Sequence, residues 1–227
     1  MHKKNINAEV TNLSKYIHQA VLEPHTNIEE LNQLCDASDF FDFKGFCTNL
    51  VRIPLARNRI STKKNMNLIA VIGFPFGDIP EELKQAQAEW AAEQGADEID
   101  VVPNFLNLHE GNGTSFSNEL SKICELGLPT RAILDTTRLN IEKLEIAVEA
   151  SIDAGVKGIQ TGNGFGPKAT PKTIERLLPL VRGRCSIKAA GGVANLIQAL
   201  DLIKSGCSEI GTSKGLELIK EFKALNQ

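Results

Sequence analysis

The chain has 227 residues, 42% of them hydrophobic and 23% charged, with a formal net charge of −3, which gives it enough apolar content for a large buried core. No basic stripe argues for nucleic acid as a partner, and apolar runs such as LIAVIGFPF (68–76) are far too short to span a membrane. The basic N-terminus MHKKNINAEV has no apolar signal region, and the five cysteines (35, 47, 124, 185, 207) make no CxxC pair, so a cytoplasmic protein with reduced thiols is expected.

Along the chain, short β-rich runs alternate with longer segments of helical spacing. The first three candidate strands are YIHQAVL (16–22), GFCTN (45–49) and LIAVIGF (68–74). A helix follows, capped by Asp78, with Pro80 and two glutamates in its first turn. It carries Leu83, Ala86 and Trp90 on nearby turns and ends at Gly95. Strands EIDVVP (98–103) and RAILDT (131–136) come next. Asn140 then opens a helix striped by Ile141, Leu144, Val148 and Ile152 and closed by Gly155. GIQTG (158–162) precedes a helix begun by Thr170-Pro171. SIKAAGG (186–192) precedes one running from Asn195 to Gly206 with Leu196, Leu200 and Ile203 inward, and EIGTS (209–213) is the eighth strand. Continuous apolar strands are the mark of parallel strands covered on both faces.

Eight strands alternating with helices fit either a doubly wound sheet or a closed barrel. No dinucleotide-binding glycine fingerprint follows the early strands. The glycine-rich turns come after the sixth, seventh and eighth strands, where barrels commonly build a phosphate site. The expected fold is therefore α/β, a parallel eight-stranded (β/α)8 TIM barrel, over 1–227 as a single domain.

Barrel enzymes work at the C-terminal ends of their strands. The polar residues there are Asp100, Asp135, Gln160, Thr161 and Lys188. Lys188 either points outward to solvent or is buried in the barrel mouth, where the small residues 189–192 leave room for a ligand. A buried lysine needs an acidic partner, which Asp100 or Asp135 can supply, and a desolvated lysine can attack carbonyls. The turns holding Gly162, Gly164 and Gly166, Gly191 and Gly192, and GTSKG (211–215) offer backbone N–H groups to a phosphate. The same glycines also suit close packing of helix on strand. Cys47 and His18 read more simply as structural residues than as nucleophile and acid–base. Asp97 and Glu98 are placed at the start of strand four or facing away from Asp100. The histidines (2, 18, 25, 109) have no metal-ligand spacing.

Together, YIHQAVLEP, GFCTNLVRIPLAR, VIGFPFG, GADEIDVVPN, GIQTGNGFG, IKAAGGV and EIGTSKG resemble the deoxyribose-phosphate aldolase family from about Tyr16 to about Leu218. The resemblance implies a (β/α)8 class I aldolase that cleaves 2-deoxyribose 5-phosphate to glyceraldehyde 3-phosphate and acetaldehyde. It implies a lysine Schiff base, no metal or cofactor, and a monomer or homodimer. The family pattern on strand six reads like FIKTSTGF, and its imine-forming lysine matches Gln160, which has no amine. The family's second lysine matches Lys188, and its proton-transfer aspartate matches Asp100. On strand one, His18, Gln19, Ala20 and Glu23 stand where a pattern like YIDHTLLKP has other residues, and Asp135 stands for a glutamate. The phosphate-binding positions Thr161, Gly162, Gly191, Gly192, Gly211, Thr212 and Ser213 match. Lys157 lies at an odd offset from Gln160 and so faces away from the interior. Three readings stand: an aldolase whose amine has moved to Lys188, a non-catalytic sugar-phosphate binder, and a different enolisation of a phosphorylated sugar.

Overall fold

The computed structural model describes residues 10–60 and 66–225. The N-terminal stretch before Val10, including His2, lies outside the described residues. Strands β1 (Ile17–Val21), β2 (Gly45–Thr48), β3 (Asn67–Ile72), β4 (Glu98–Val101), β5 (Thr130–Ile133), β6 (Gly158–Gln160), β7 (Ser186–Ala190) and β8 (Glu209–Thr212) form a closed barrel in sequence order. Every pairing is parallel, and β1 closes on β8 through Ile17–Ile210 and Gln19–Thr212. Helices α1 (Ile28–Phe40), α2 (Ile53–Arg59), α3 (Glu81–Glu93), α4 (Phe105–His109), α5 (Gly113–Cys124), α6 (Ile141–Asp153), α7 (Pro171–Val181), α8 (Leu196–Lys204) and α9 (Gly215–Leu225) surround it. The (β/α)8 fold read from the alternation is present.

The period-two alternation of each strand divides the apolar residues between two cores. On β3, Leu68, Ala70 and Ile72 join the large cluster between sheet and helices, while Ile69 and Val71 join a small cluster with Cys47. This explains why the strands read as unbroken apolar runs: one face serves the helices and the other the barrel interior. Helix starts follow local chemistry. Asn27 makes a capping box with Glu30, and the Asn140 and Asn195 side chains accept from the N–H groups of Lys143 and Gln198.

Helix α3 departs from its expected face. Pro80, not Asp78, takes the cap position, and the buried residues are Lys84, Ala88 and Ala91. Leu83 is 55% exposed and Trp90 38%. The cause is Lys84, whose fully buried ammonium pairs with Glu119 of α5. The other oxygen of Glu119 accepts the Asn104 N–H at 2.8 Å. A buried lysine held by a carboxylate turns the helix so that its most polar-looking residue faces inward. The strands also end earlier than expected. Asp135 lies beyond β5 with φ 46°, and Thr161 lies just past β6.

Candidate active site

Within the barrel, the register places Ala20, Cys47, Ile69 and Val71 on the interior of β1 to β3. Across from them, β4 to β8 supply Glu98, Asp100, Arg131, Gln160, Lys188 and Glu209. One half of the interior is apolar and the other is charged. A buried charge survives only when paired and hydrogen-bonded, and these are. Lys188 Nζ lies 2.5 Å from Asp100 Oδ2, and Arg131 Nε lies 2.8 Å from Asp100 Oδ1. Arg131 also pairs with Glu98, which takes the Asn67 amide at 2.5 Å. Lys44 meets Glu209 at 2.6 Å. Burial opposes the charge on Asp100, but Arg131 and Lys188 outweigh it and hold the carboxyl below its ordinary range.

A cavity of about 470 Å³ opens above this network, among the loops that leave the strands. Gln160 and Lys188, direct neighbours across β6 and β7, form part of its floor. Lys188 is 2% exposed. Gly211 on β8 makes room for its stem: a Cβ there would lie 2.9 Å from Lys188 Cε. Ala20, Leu22, Cys47, Val71 and Phe74 build an apolar wall, and Gly162 to Phe165, Gly191 to Ala194 and Gly211 to Lys214 build the opposite rim. Gly191 and Gly192 take φ of 102° and 69°, a run of left-handed backbone that a side chain resists. Asn163 ties the rim to the β3 loop by donating to Pro75 O at 2.7 Å, and Phe165 packs edge-on against Phe74 and Phe76.

Most residues singled out in the sequence meet here. Gln160, Lys188 and Cys47 line the base, with Asp100 fully buried behind them against Lys188, and Gly162, Gly191, Gly192, Gly211, Thr212 and Ser213 lie in the rim or wall. Cys47 Sγ is 4.0 Å from Asp100 Oδ2, and burial, against the pull of Lys188, pushes its thiol up to about 12. It therefore stays a thiol and is no nucleophile near neutral pH. Three others stand outside the cavity lining. The Thr161 hydroxyl donates to Ala190 O at 2.8 Å and accepts from Ala190 N, clamping β6 to β7. Asp135 turns to Arg138 at 3.2 Å. His18 lies in the barrel interior, level with Gly45 and Gly211. Lys157 is exposed.

Arg131, Glu98 and Glu209 were not singled out as candidates, although each is a charge set in a short apolar strand. Glu98 does open β4, as expected, but its even offset from Asp100 gives both the same face. That face carries the salt-bridge network.

His18 is 1% exposed, and neither ring nitrogen has a hydrogen-bond partner among the described residues. Burial first, then the charges of Lys188, Arg131 and Lys44, hold its pKa well below 6.5. The folded chain keeps it neutral, whereas the unfolded chain protonates it near its ordinary pKa. Stability from this source is therefore full above that pH and is lost as pH falls below it, by up to about 1.4 kcal/mol per pH unit. Urea unfolding between pH 7.5 and 5.5 should give a shallower decline for His18→Leu than for the natural chain; parallel declines would refute this assignment.

A parallel barrel with a cavity at the C-terminal ends of its strands and a buried lysine–carboxylate pair in its floor has the architecture of a barrel enzyme. No protein-family model matches the chain. The deoxyribose-phosphate aldolase of Microcystis aeruginosa is 34% identical over 213 residues, covering 93% of this chain and 94% of its own. That of Thermococcus gammatolerans is 33% identical, covering 92% and 95%. Among solved structures, QR15, an aldolase, matches with a TM-score of 0.90 at 30% identity, over 96% of this chain and 98% of its own. The tetrameric deoxyribose phosphate aldolase of Aeropyrum pernix matches with a TM-score of 0.83 at 27% identity, over 93% and 91%. The chain belongs to the deoxyribose-phosphate aldolase family, a family of class I aldolases.

Proposed function

We propose that the chain is an aldolase of phosphorylated sugars in which Lys188 is the imine-forming amine and Asp100 the proton carrier. The observation that carries this is the position of Lys188: its amine is buried, lines the cavity floor and touches Asp100 at 2.5 Å. Gln160, at the position matched to the family's imine-forming lysine, cannot form an imine. The rim of Gly162, Gly191, Gly192, Gly211, Thr212 and Ser213 would hold the phosphate through backbone N–H groups.

The steps follow from this geometry. Lys188 passes a proton to Asp100, and its free amine adds to the substrate aldehyde. The resulting carbinolamine loses water to give an iminium. A base takes the proton of the hydroxyl on C3, the C2–C3 bond breaks, and its electron pair enters an enamine as glyceraldehyde 3-phosphate leaves. Protonation of the enamine and hydrolysis then release acetaldehyde and free the lysine. Arg131 keeps Asp100 charged, so the carboxylate takes the first proton reluctantly. Turnover should accordingly be slow for a class I aldolase.

The same tight pair favours a second reading. A lysine kept as ammonium would stabilise a bound sugar phosphate without attacking it, leaving a binding protein. Incubation with 2-deoxyribose 5-phosphate, and separately with acetaldehyde, followed by borohydride reduction and peptide mapping, separates the two. The expected result is a substrate-dependent adduct on Lys188. A sample that binds the sugar phosphate yet traps no adduct would leave the binding reading standing.

A further inference from the structure

Two loops that are not neighbours in the barrel meet across its mouth. Strands β3 and β6 are separated by β4 and β5, yet Asn163 on the β6 loop donates from Nδ2 to Pro75 O on the β3 loop at 2.7 Å. Its Oδ1 accepts the Phe165 N–H at 3.0 Å, so both ends of the amide are engaged and its orientation is fixed. Contacts of the Phe165 ring with Phe74 and Phe76, at 6.2 and 5.5 Å between centroids, reinforce the same crossing. The bridge passes over the ends of β4 and β5. Among the described residues, those lining the cavity come from β1 to β3, from β6 to β8 and from loops that follow them, and none from β4, β5 or their loops.

The two ends of the bridge differ in how firmly they are held. In the β3 loop the Gly73 N–H donates to Gln87 Oε1 at 2.9 Å and the Gly77 N–H to Gly73 O at 2.8 Å, and a Cβ on Gly77 would meet Pro103 O at 2.2 Å. The β6 loop carries Gly162, Gly164 and Gly166, and glycine gives up the most backbone freedom when it is ordered. Asn163 ties this glycine-rich loop to the firm one, and the exposed Arg138 adds a bond to Phe165 O at 3.0 Å. On its other side the β6 loop lies against the β7 loop: a Cβ on Gly191 would stand 3.7 Å from Gly164 N. Gly164 and Gly191 both line the cavity. A ligand that must order a loop loses affinity to that ordering, and a loop held in place before binding avoids the loss.

We propose that Asn163 is a positioning residue for the phosphorylated end of the substrate: by fastening the β6 loop to the β3 loop it keeps Gly164 beside Gly191, so that backbone N–H groups of the β6 and β7 loops meet one phosphate. This rests on the reading that a sugar phosphate binds in this cavity. Asn163 acts on no reacting atom, and Lys188 is held in the floor by Asp100 rather than by this bridge.

Calorimetry on the full chain with 2-deoxyribose 5-phosphate and with unphosphorylated 2-deoxyribose reads the role as a ratio of two affinities. Asn163→Ala removes the bridge and the turn together. It should lower the preference for the phosphorylated sugar roughly tenfold, the scale of one hydrogen bond to a charged group, with the unphosphorylated sugar bound as by the natural chain. Asn163→Ser keeps an oxygen for the Phe165 N–H but is too short to reach Pro75 O, and should show the same loss. A general loosening of the barrel would weaken both sugars alike and leave the ratio standing. An unchanged ratio in Asn163→Ala, or the natural ratio in Asn163→Ser, overturns the role of the bridge, while borohydride trapping at Lys188 still decides the aldolase reading. A natural chain that fails to bind the phosphorylated sugar, or shows no preference for it, overturns the sugar-phosphate reading and this inference with it.

Discussion

Lys188→Met should trap no borohydride adduct and should lower any retro-aldol turnover at least about a thousandfold, within the scale on which losing a nucleophile acts. Methionine matches the reach of the lysine stem past Gly211 but carries no amine. Its effect on stability should also be large. Lys188 and Arg131 share Asp100, and Arg131 also serves Glu98. Taking away Lys188 leaves one guanidinium between two buried carboxylates. Breaking a buried pair in this way costs about 3–5 kcal/mol, readable as a lower urea midpoint. Lys188→Arg separates the two effects. A guanidinium restores the positive charge and should recover part of the stability, yet it stays protonated and forms no imine. Turnover retained in Lys188→Met would remove the lysine from the chemistry altogether.

The barrel could be read from the sequence because its pattern is local. Each strand is a short apolar run, and caps such as Asn140 and Asn195 announce helices within one turn. The floor of the cavity was partly legible for the same reason: a lysine inside SIKAAGG and an aspartate inside EIDVV stand out in apolar strands. What was missed is pairwise and long-range. That Asp100 is shared between Lys188 and Arg131 depends on β4 neighbouring β5 and on their register, which no single segment encodes. The α3 face failed for a related reason. Hydrophobic periodicity assigns Leu83 to the core, whereas the partner that draws Lys84 inward, Glu119, lies a helix and a strand further along the chain. The placement of Thr161 and Asp135 turned on where their strands end, the least certain feature of a pattern-based reading. Thr161 spends its hydroxyl on the β7 backbone, and Asp135 leaves the barrel axis at a residue with positive φ.

Gln160→Lys should restore a second amine to the floor and move the chemistry to it. The new amine would sit beside Lys188 through the β6–β7 pairing. Two ammonium groups confined in one buried cavity do not both stay charged, and the one without a carboxylate gives up its proton first. Asp100 is already engaged by Lys188 and Arg131, so the new amine is the one freed for attack. Lys188 then acts by its charge rather than as nucleophile. A fall of two units in an amine pKa raises its free fraction about a hundredfold at neutral pH, and turnover of 2-deoxyribose 5-phosphate should rise by a similar factor. The structural cost is small, because the one bond lost, from Gln160 Nε2 to Gly162 O, can be remade by an ammonium or amine donor at the same place. Peptide mapping after borohydride reduction reads the outcome directly, since positions 160 and 188 lie on different tryptic peptides. An adduct that moves to position 160 with a rise in rate means that the interior still supports the family's chemistry and that Gln160 alone redirected it. An adduct that stays on Lys188, with no gain in rate, means that the two-amine argument is wrong and that the strand-one residues His18 and Ala20 have changed the floor as well.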